Sequence, residues 1–376
     1  MAQTCLMAHA ERYHGLDLLR AVAMLLGLVL HGALIYTAPS VVGDLPVASG
    51  LEPPQASPAT WAVVIWIHQW RMPAFFLLAG FFAELVIARR GARAFLADRA
   101  VRILGALAVF SVLFTLIFAR PWGVLDHMWF LWFLSLFCLT AWAAHGMGLR
   151  RELRAMAWPV QRLPRMIWLV VPVAALNLAG REAGIWHIIP DQIGQLDRLV
   201  GALPYFAAFV IGQMLFHTRD RLAELRRPRV WMGCIAAGAL AYVLSLGLMG
   251  AEPWPVLPMA VFSAVASLGW TFGLIGLAQW AVPARSAAID WLVRLSYPVY
   301  IFHLYLILGV SALLASAGLA QGWVIVLSAF VTFWLCVVLY YLLVKYTPLD
   351  WVLNGYGRAW FKWPWGTNGA TKKAAP

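Results

Sequence analysis

The stretch Leu16–Tyr36, LDLLRAVAMLLGLVLHGALIY, decides the fold because it is an apolar run long enough to cross a membrane. It also carries Arg20 and His31, ionisable side chains that such a run rarely tolerates. The two lie about 17 Å apart along an α-helix, or roughly three turns, so both face the same side. The stretch therefore predicts a membrane helix with a fixed cation at one end and a proton-transferring group at the other.

The composition extends this interpretation to the whole chain. Of 376 residues, 63% are hydrophobic and 12% are charged, which excludes a water-soluble globular protein. The net charge of +12 would suggest nucleic-acid binding in a soluble protein, but here the basic residues cluster between apolar runs, so no nucleic-acid partner is expected. The four cysteines are too scattered for a metal pair or a disulfide framework, so we predict no metal site.

Ten apolar runs approach the ~20 residues that a bilayer requires. They cover residues 16–37, 61–88, 101–118, 128–147, 166–180, 199–216, 230–249, 256–281, 289–316 and 323–346. The fifth is the shortest and needs a thinner bilayer or burial among other helices. We predict an all-α polytopic membrane protein with about ten transmembrane helices, in which residues 1–362 form a single domain and 363–376 a disordered tail. No removable signal peptide is expected before the first run.

Loop charge orients the predicted bundle. All but four of the 28 basic residues lie in alternate segments, beginning with the N-terminal one. The exceptions are Arg120, Arg181 and Arg198 in the intervening loops and Arg71 inside the second run. Because cytoplasmic segments carry the excess of Lys and Arg, both termini are predicted to be cytoplasmic.

The second run, WIHQWRMPAFFLLAGFF at 66–82, holds His68 and Arg71 one helical turn apart. Arg71 lies about ten residues, or 15 Å, from the outer end, which is near the bilayer midplane. Such an arginine either serves the chemistry or is a structural cation paired with a carboxylate or with free carbonyls. The rarity of a central arginine favours the functional interpretation.

Two features mark the cytoplasmic side. DRAVR at 98–102 places Arg99 and Arg102 one turn apart, which suits phosphate binding, although cytoplasmic helix ends are often basic for topology alone. Asp17 precedes Arg20 by three residues. It can pair with that arginine, orient a basic group, or serve only as a favourable carboxylate at a helix start.

Two further motifs carry histidines. HMWFLWFL at 127–134 opens the fourth run with His127 and Trp129, where an interfacial residue is the alternative to a catalytic one. SYPVYIFHLYLIL at 296–308 places His303 inside the ninth run, where it either bonds across helices or takes part in chemistry. Tryptophans near the outer mouth suit stacking on sugar rings.

Together these motifs resemble the membrane acyltransferase-3 family. The resemblance is carried by the Arg20-to-His31 spacing, RMPAFFLLAGFF at 71–82, RAVR at 99–102, HMWFLW at 127–132 and YPVYIFH at 297–303. It covers nearly the whole chain. It implies a ten-helix bundle in the bacterial inner membrane that transfers an acyl group, succinyl by preference, from cytoplasmic acyl-CoA to a hydroxyl of a periplasmic glucan.

The resemblance also implies roles for individual residues. His31 is the essential catalytic residue. From its place in the sequence we add Asp17 as a second catalytic residue, one that orients a basic group. Acyl-CoA is expected as co-substrate, with no permanently bound cofactor, and the expected partners are a glycan acceptor, the lipid bilayer and a second copy of the chain in a homo-oligomer. The donor-side residues are Arg20, Arg99, Arg102 and Arg71, and the acceptor-side or supporting residues are His68, His127, Trp129 and His303.

Two alternatives stay open. A glycan or lipid transporter would need helix breaks at matching positions of two halves, whereas Pro73, Pro172 and Pro298 show no such symmetry. An O-acetyltransferase of another cell-surface polysaccharide would use the same residues. In either acyltransferase, the ~17 Å between Arg20 and His31 is of the order of the pantetheine arm of coenzyme A. His31 is then expected to act as a general base or as a nucleophile.

Overall fold

The computed structural model describes residues 13–38, 55–182, 192–249, 251, 253, 255–284 and 286–354. Within these ranges nine helices are long and apolar enough to cross a membrane, and the same ranges form no β-strand. A tenth helix is apolar but shorter. The predicted all-α polytopic architecture is confirmed. The predicted disordered tail and the first twelve residues lie outside the described ranges.

The helices follow the predicted apolar runs closely. In chain order they are α1 (His14–Gly32), α2 (Pro58–Arg90), α3 (Ala92–Phe118), α4 (Asp126–Gly146), α5 (Leu163–Ala179), α6 (Arg198–His217), α7 (Pro228–Gly247), α8 (Val256–Ala281), α9 (Ala287–Ser316) and α10 (Gln321–Val344), followed by the short α11 (Leu349–Asn354).

The short helix α5 gains length from its local geometry. Its first part, Leu163–Leu169, is a 3₁₀-helix, which rises about 2.0 Å per residue and so covers ~14 Å. The remaining ten residues are α-helical and, at 1.5 Å each, add ~15 Å. The total of ~29 Å is about the thickness of the hydrocarbon core. A run that looks too short by residue count can therefore still cross the membrane. The prediction that both termini lie on the same side requires this tenth crossing.

Helix α2 begins and ends where the sequence signals it. Ser57 caps its N-terminus by accepting a hydrogen bond from the Thr60 amide at 3.2 Å, and Pro58 occupies the first turn, where its missing amide proton costs nothing. At the other end Gly91 adopts φ 83°, which favours glycine. Between these points α2 runs for 33 residues and carries His68 and Arg71.

Glycines let α2 and α6 cross in close contact. A Cβ atom on Gly80 would lie 1.9 Å from the carbonyl oxygen of Phe209, and one on Gly212 would lie 1.8 Å from that of Leu77. No side chain fits at either position, so the two backbones touch directly. Small residues play this part widely at helix crossings in membranes, where there is no hydrophobic driving force between helices.

Helix α1 occupies the middle of the bundle. It contacts α2, α8, α9 and α10, and its residues Leu16, Ala21 and Ala23 are fully buried. This packing holds both ends of α1 in place. Arg20 and His31 are therefore fixed relative to the side chains that α2 and α9 present to them.

Candidate active site

His31, near the C-terminus of α1, is hydrogen-bonded to His303 of α9. The Nδ1 atom of His31 lies 2.7 Å from Nε2 of His303, and the two ring planes differ by only 7°. The ring centroids are 4.8 Å apart. This is close to the largest separation that a 2.7 Å N···N contact allows, so the rings lie side by side in one plane rather than face to face.

The protons of this pair follow from a third group. Nδ1 of His303 lies 2.6 Å from the carbonyl oxygen of Tyr300, and a carbonyl only accepts, so Nδ1 carries the proton. In a neutral imidazole the other nitrogen is then an acceptor, which means that His31 donates from Nδ1 to Nε2 of His303. The remaining nitrogen of His31, Nε2, is left with a lone pair. His31 is thereby arranged as a base.

His127, at the start of α4, packs against the same segment of α9. Its Nε2 lies 3.1 Å from the carbonyl oxygen of Ile301, and the hydroxyl of Tyr300 donates to the carbonyl of His127 at 2.7 Å. Its ring centroid is 5.1 Å from that of His303. The structure therefore brings the three predicted histidines His31, His127 and His303 together.

Arg71 reaches from α2 to α1. Its Nε donates to the carbonyl oxygen of Ala23 at 2.7 Å, and the side chain is buried. A Cβ atom on Gly27 would lie 2.7 Å from Nη2 of Arg71, so the guanidinium packs closely against this position of α1. The hydrogen bond to Ala23 agrees with a structural role of Arg71. The position of Arg71 near His31 agrees with a functional role. The ionisable tyrosines that act on Arg71 are Tyr300 and Tyr205, and no carboxylate among the described residues does so.

A small cavity joins these groups. It has a volume of about 30 Å³ and is lined by Met and Phe side chains together with His31, Arg71, His127, Trp129 and Tyr300. A water-sized group needs roughly 10–15 Å³, so the cavity has room for about two such groups. It can hold the reacting hydroxyl of an acceptor but not a whole sugar ring, so the ring itself lies outside the cavity when a hydroxyl enters it.

The two remaining acceptor-side candidates flank this cavity. His68, one turn before Arg71, is half-buried and interacts electrostatically with His31. Trp129 lies on the cavity wall, with its ring 5.7 Å from that of Tyr205. Both side chains are thus close to the predicted catalytic histidine.

The predicted donor-side residues meet at the other end of α1. Arg20 pairs with Asp17 at 3.4 Å, and both Arg99 and Arg102 lie 3.9 Å from a carboxylate oxygen of Asp98. Arg20 and Arg99 are also near enough to Arg102 to repel it electrostatically. The three arginines therefore form one positively charged region. Asp17 belongs to this region and not to the surroundings of His31, from which ~21 Å of helix separates it.

Arg102 lies on an irregular turn of α3. Residues Ala100–Gly105 form a π-helix, a distortion often found at functional sites. The hydroxyl of Tyr297 donates to the carbonyl of Arg102 at 2.6 Å, and Nη2 of Arg102 donates to the carbonyl of Leu353 in α11 at 3.3 Å. Its Nε is buried with no hydrogen-bond partner in the described part of the chain. This arginine retains a donor for an anionic ligand.

A polar contact that sequence reasoning missed holds the connection before His127. The hydroxyl of Tyr305 donates to Oδ2 of Asp126 at 2.5 Å, and Nη2 of Arg120 donates to Oδ1 at 3.2 Å. Asp126 adopts φ 43°, which side chains rarely favour. The two hydrogen bonds fix this unusual backbone next to His127.

A second missed cluster is centred on Glu84, which is completely buried near the C-terminal end of α2. Its carboxylate lies 3.0 Å from Nε2 of His145, 2.9 Å from Nε2 of Gln213 and 3.5 Å from Nε2 of His217. No described group of three or more His, Cys, Asp and Glu side chains is arranged to hold a metal ion. We interpret the cluster as a tie between α2, α4 and α6. A lone glutamate inside an apolar run was the signal that could have revealed it.

Comparisons with known proteins agree with the motifs. The family model described as an acyltransferase domain, Acyl_transf_3, matches residues 13–341. Relatives named glucans biosynthesis protein C from Salmonella schwarzengrund (strain CVM19633) and Salmonella agona (strain SL483) are 22% identical over 326 residues, which cover 78% of this chain and 82% of each relative. No solved structure matches this chain.

Proposed function

The chain belongs to the acyltransferase-3 family, and from this premise we propose that it transfers an acyl group, succinyl by preference, from cytoplasmic acyl-CoA to a hydroxyl of a periplasmic glucan. The name of the relatives supports a glucan as acceptor. A bacterial inner membrane, with both chain termini in the cytoplasm, is the location consistent with this reaction. The observation that carries the proposal is the hydrogen-bonded series from His31 through His303 to the Tyr300 carbonyl, because it leaves Nε2 of His31 with a lone pair.

The transfer step uses that lone pair as a general base. Nε2 of His31 takes the proton of the acceptor hydroxyl while the hydroxyl oxygen attacks the thioester carbonyl. A C–O bond forms, the C–S bond breaks, and coenzyme A leaves as a thiolate, which takes the proton back from Nε2. During the step His31 is an imidazolium, and its Nδ1–H bond to His303 becomes charge-assisted and therefore stronger.

The arginines supply the binding contacts in this mechanism. Arg20, Arg99 and Arg102 bind the nucleotide phosphates of the coenzyme, and its pantetheine arm follows α1 over the ~17 Å to His31. Arg71, on the wall of the cavity, meets the terminal carboxylate of a succinyl group. Without such a cation the carboxylate would be costly to bring to the midplane of the bilayer.

The direct test uses purified protein in lipid nanodiscs with a linear glucan and either succinyl-CoA or acetyl-CoA. We expect release of coenzyme A together with an ester on the glucan, seen by mass spectrometry, and a faster reaction with the succinyl donor. The His31→Ala variant should insert and elute as a single species but show no transfer. Absence of glucan ester with both donors would refute the acyltransferase proposal, and retention of more than a few per cent of turnover in the variant would refute the role of His31.

A further inference from the structure

His127 has a buried nitrogen that the transfer step does not use. Its Nε2 faces the carbonyl oxygen of Ile301 and therefore carries the proton, so Nδ1 is a hydrogen-bond acceptor in the neutral ring. Within the described residues Nδ1 is buried and has no hydrogen-bond partner. Leaving a buried acceptor without a hydrogen bond is costly, so a ligand that donates a hydrogen bond to Nδ1 of His127 would bind favourably.

Two side chains that line the cavity each have an acceptor nitrogen without a donor in the described part of the chain. His31 and His127 both line the cavity. Each has one nitrogen with a lone pair, and no described residue donates a hydrogen bond to that nitrogen. The volume of about 30 Å³ is room for about two hydroxyl-sized groups. Two acceptors in a space of this size match two hydroxyl groups on one molecule better than they match a single alcohol.

We propose that the acceptor is bound through two neighbouring hydroxyl groups of one sugar residue. The hydroxyl that becomes acylated donates to Nε2 of His31, and its neighbour donates to Nδ1 of His127. This inference rests on the proposed function, and it makes His127 the residue that selects a diol over an isolated alcohol. Trp129, on the cavity wall, provides an aromatic surface beside the sugar ring.

The loss of one hydroxyl from the acceptor should lower kcat/KM strongly. A site built to bond a substrate hydroxyl discriminates against an analogue that lacks it, because the buried partner is then left unpaired. We therefore expect at least a tenfold fall in kcat/KM when the neighbouring hydroxyl is absent, even though the acylated hydroxyl is still present.

The experiment uses methyl β-glucopyranoside and its four monodeoxy analogues as acceptors, with NMR to identify the acylated position of the parent sugar. In the wild-type protein one analogue that keeps this position should lose at least tenfold in kcat/KM. In His127→Phe the parent sugar and that analogue should be used equally. Elution as a single species in detergent shows that each variant is folded.

Two conservative variants separate substrate binding from a structural role of His127. His127→Asn places an amide oxygen near the position of Nδ1, so it should retain part of the discrimination. His127→Gln can still donate to the Ile301 carbonyl but has no acceptor near Nδ1, so it should behave like His127→Phe. If Gln restores discrimination and Asn does not, His127 has a structural role and the proposal is wrong.

The failure of this proposal is distinguishable from that of the proposed function. Equal kcat/KM for the parent sugar and every analogue that keeps the acylated position would overturn the diol proposal while leaving acyl transfer established. Acylation of the glucan without acylation of the methyl glucoside would also overturn it, because both hydroxyls are assigned to one sugar ring. No transfer to either acceptor would overturn the acyltransferase proposal as well.

Discussion

Replacing His303 tests whether it keeps the His31 proton on Nδ1. In His303→Leu the side chain keeps a similar bulk but offers no acceptor, so His31 loses the partner that lies 2.7 Å away. The proton of His31 is then free to move to Nε2, and molecules in that tautomer have no lone pair for the acceptor hydroxyl. His303→Gln is the matched variant, because its amide oxygen can occupy a position near the lost Nε2.

The size of the effect follows from the change in charge during the reaction. Before transfer the bond between His31 and His303 joins two neutral rings and contributes about 1 kcal/mol, and beside an imidazolium it contributes about 1.5–3 kcal/mol. Only the difference of about 0.5–2 kcal/mol accelerates the chemical step, and it corresponds to roughly 2- to 30-fold in kcat. Loss of the correct tautomer adds to this. We therefore expect kcat of His303→Leu to fall by about 30-fold or more, and that of His303→Gln by less than about fivefold.

The assay follows release of coenzyme A with a thiol-reactive dye at varied succinyl-CoA concentrations. The KM for the donor should stay near the wild-type value in both variants, because Arg20, Arg99 and Arg102 lie at the other end of α1. A His303→Leu variant that keeps more than half of the wild-type kcat would refute the tautomer argument. So would a His303→Gln variant as slow as His303→Leu, since bulk rather than hydrogen bonding would then be responsible.

Three further outcomes are expected at other positions. The double variant Arg99→Ala, Arg102→Ala should raise the KM for the acyl donor more than the KM for the acceptor. Unchanged affinity for free coenzyme A in isothermal titration would mean that both arginines only set the membrane topology. Arg71→Gln should lower kcat/KM for succinyl-CoA at least tenfold more than for acetyl-CoA, which is about 1.4 kcal/mol of selectivity. An unchanged product ratio with competing donors would mean that Arg71 only ties α2 to α1. Glu84→Ala should lower the thermal transition, because it leaves the buried donors of His145 and Gln213 without their acceptor at a cost of about 3 kcal/mol. Turnover well below the transition should stay near wild type, and an unchanged transition would contradict the structural interpretation of this cluster.

The helices could be predicted from the sequence because apolar runs of sufficient length have few other uses. The shortest run was harder, since residue count alone does not reveal that Leu163–Leu169 forms a 3₁₀-helix with a longer rise per residue. The same holds for the π-helix at Ala100–Gly105. Such local variants depend on the packing of neighbouring helices, which composition and periodicity do not encode.

The candidate site shows a similar division. Ionisable residues inside apolar runs are few, so His31, Arg71, His127 and His303 could be chosen from the sequence. Their partners could not, because His31 and His303 are 272 residues apart in the chain and meet only through the packing of α1 against α9. The proton positions follow from that packing in turn.

The distribution of hydrogen bonds explains why His31, and not His303, should act as the base. Nδ1 of His303, Nδ1 of His31 and Nε2 of His127 each have a partner within the protein, and Nε of Arg71 is bound to the Ala23 carbonyl. These contacts are in place before a substrate arrives, so the transition state does not have to reorganise them. The lone pair of His31 faces a cavity with room for about two hydroxyl groups. A base fixed in its tautomer, in a space too small for bulk water, can take a proton from an acceptor hydroxyl and return it to the coenzyme A thiolate while exposing the thioester to little competing hydrolysis.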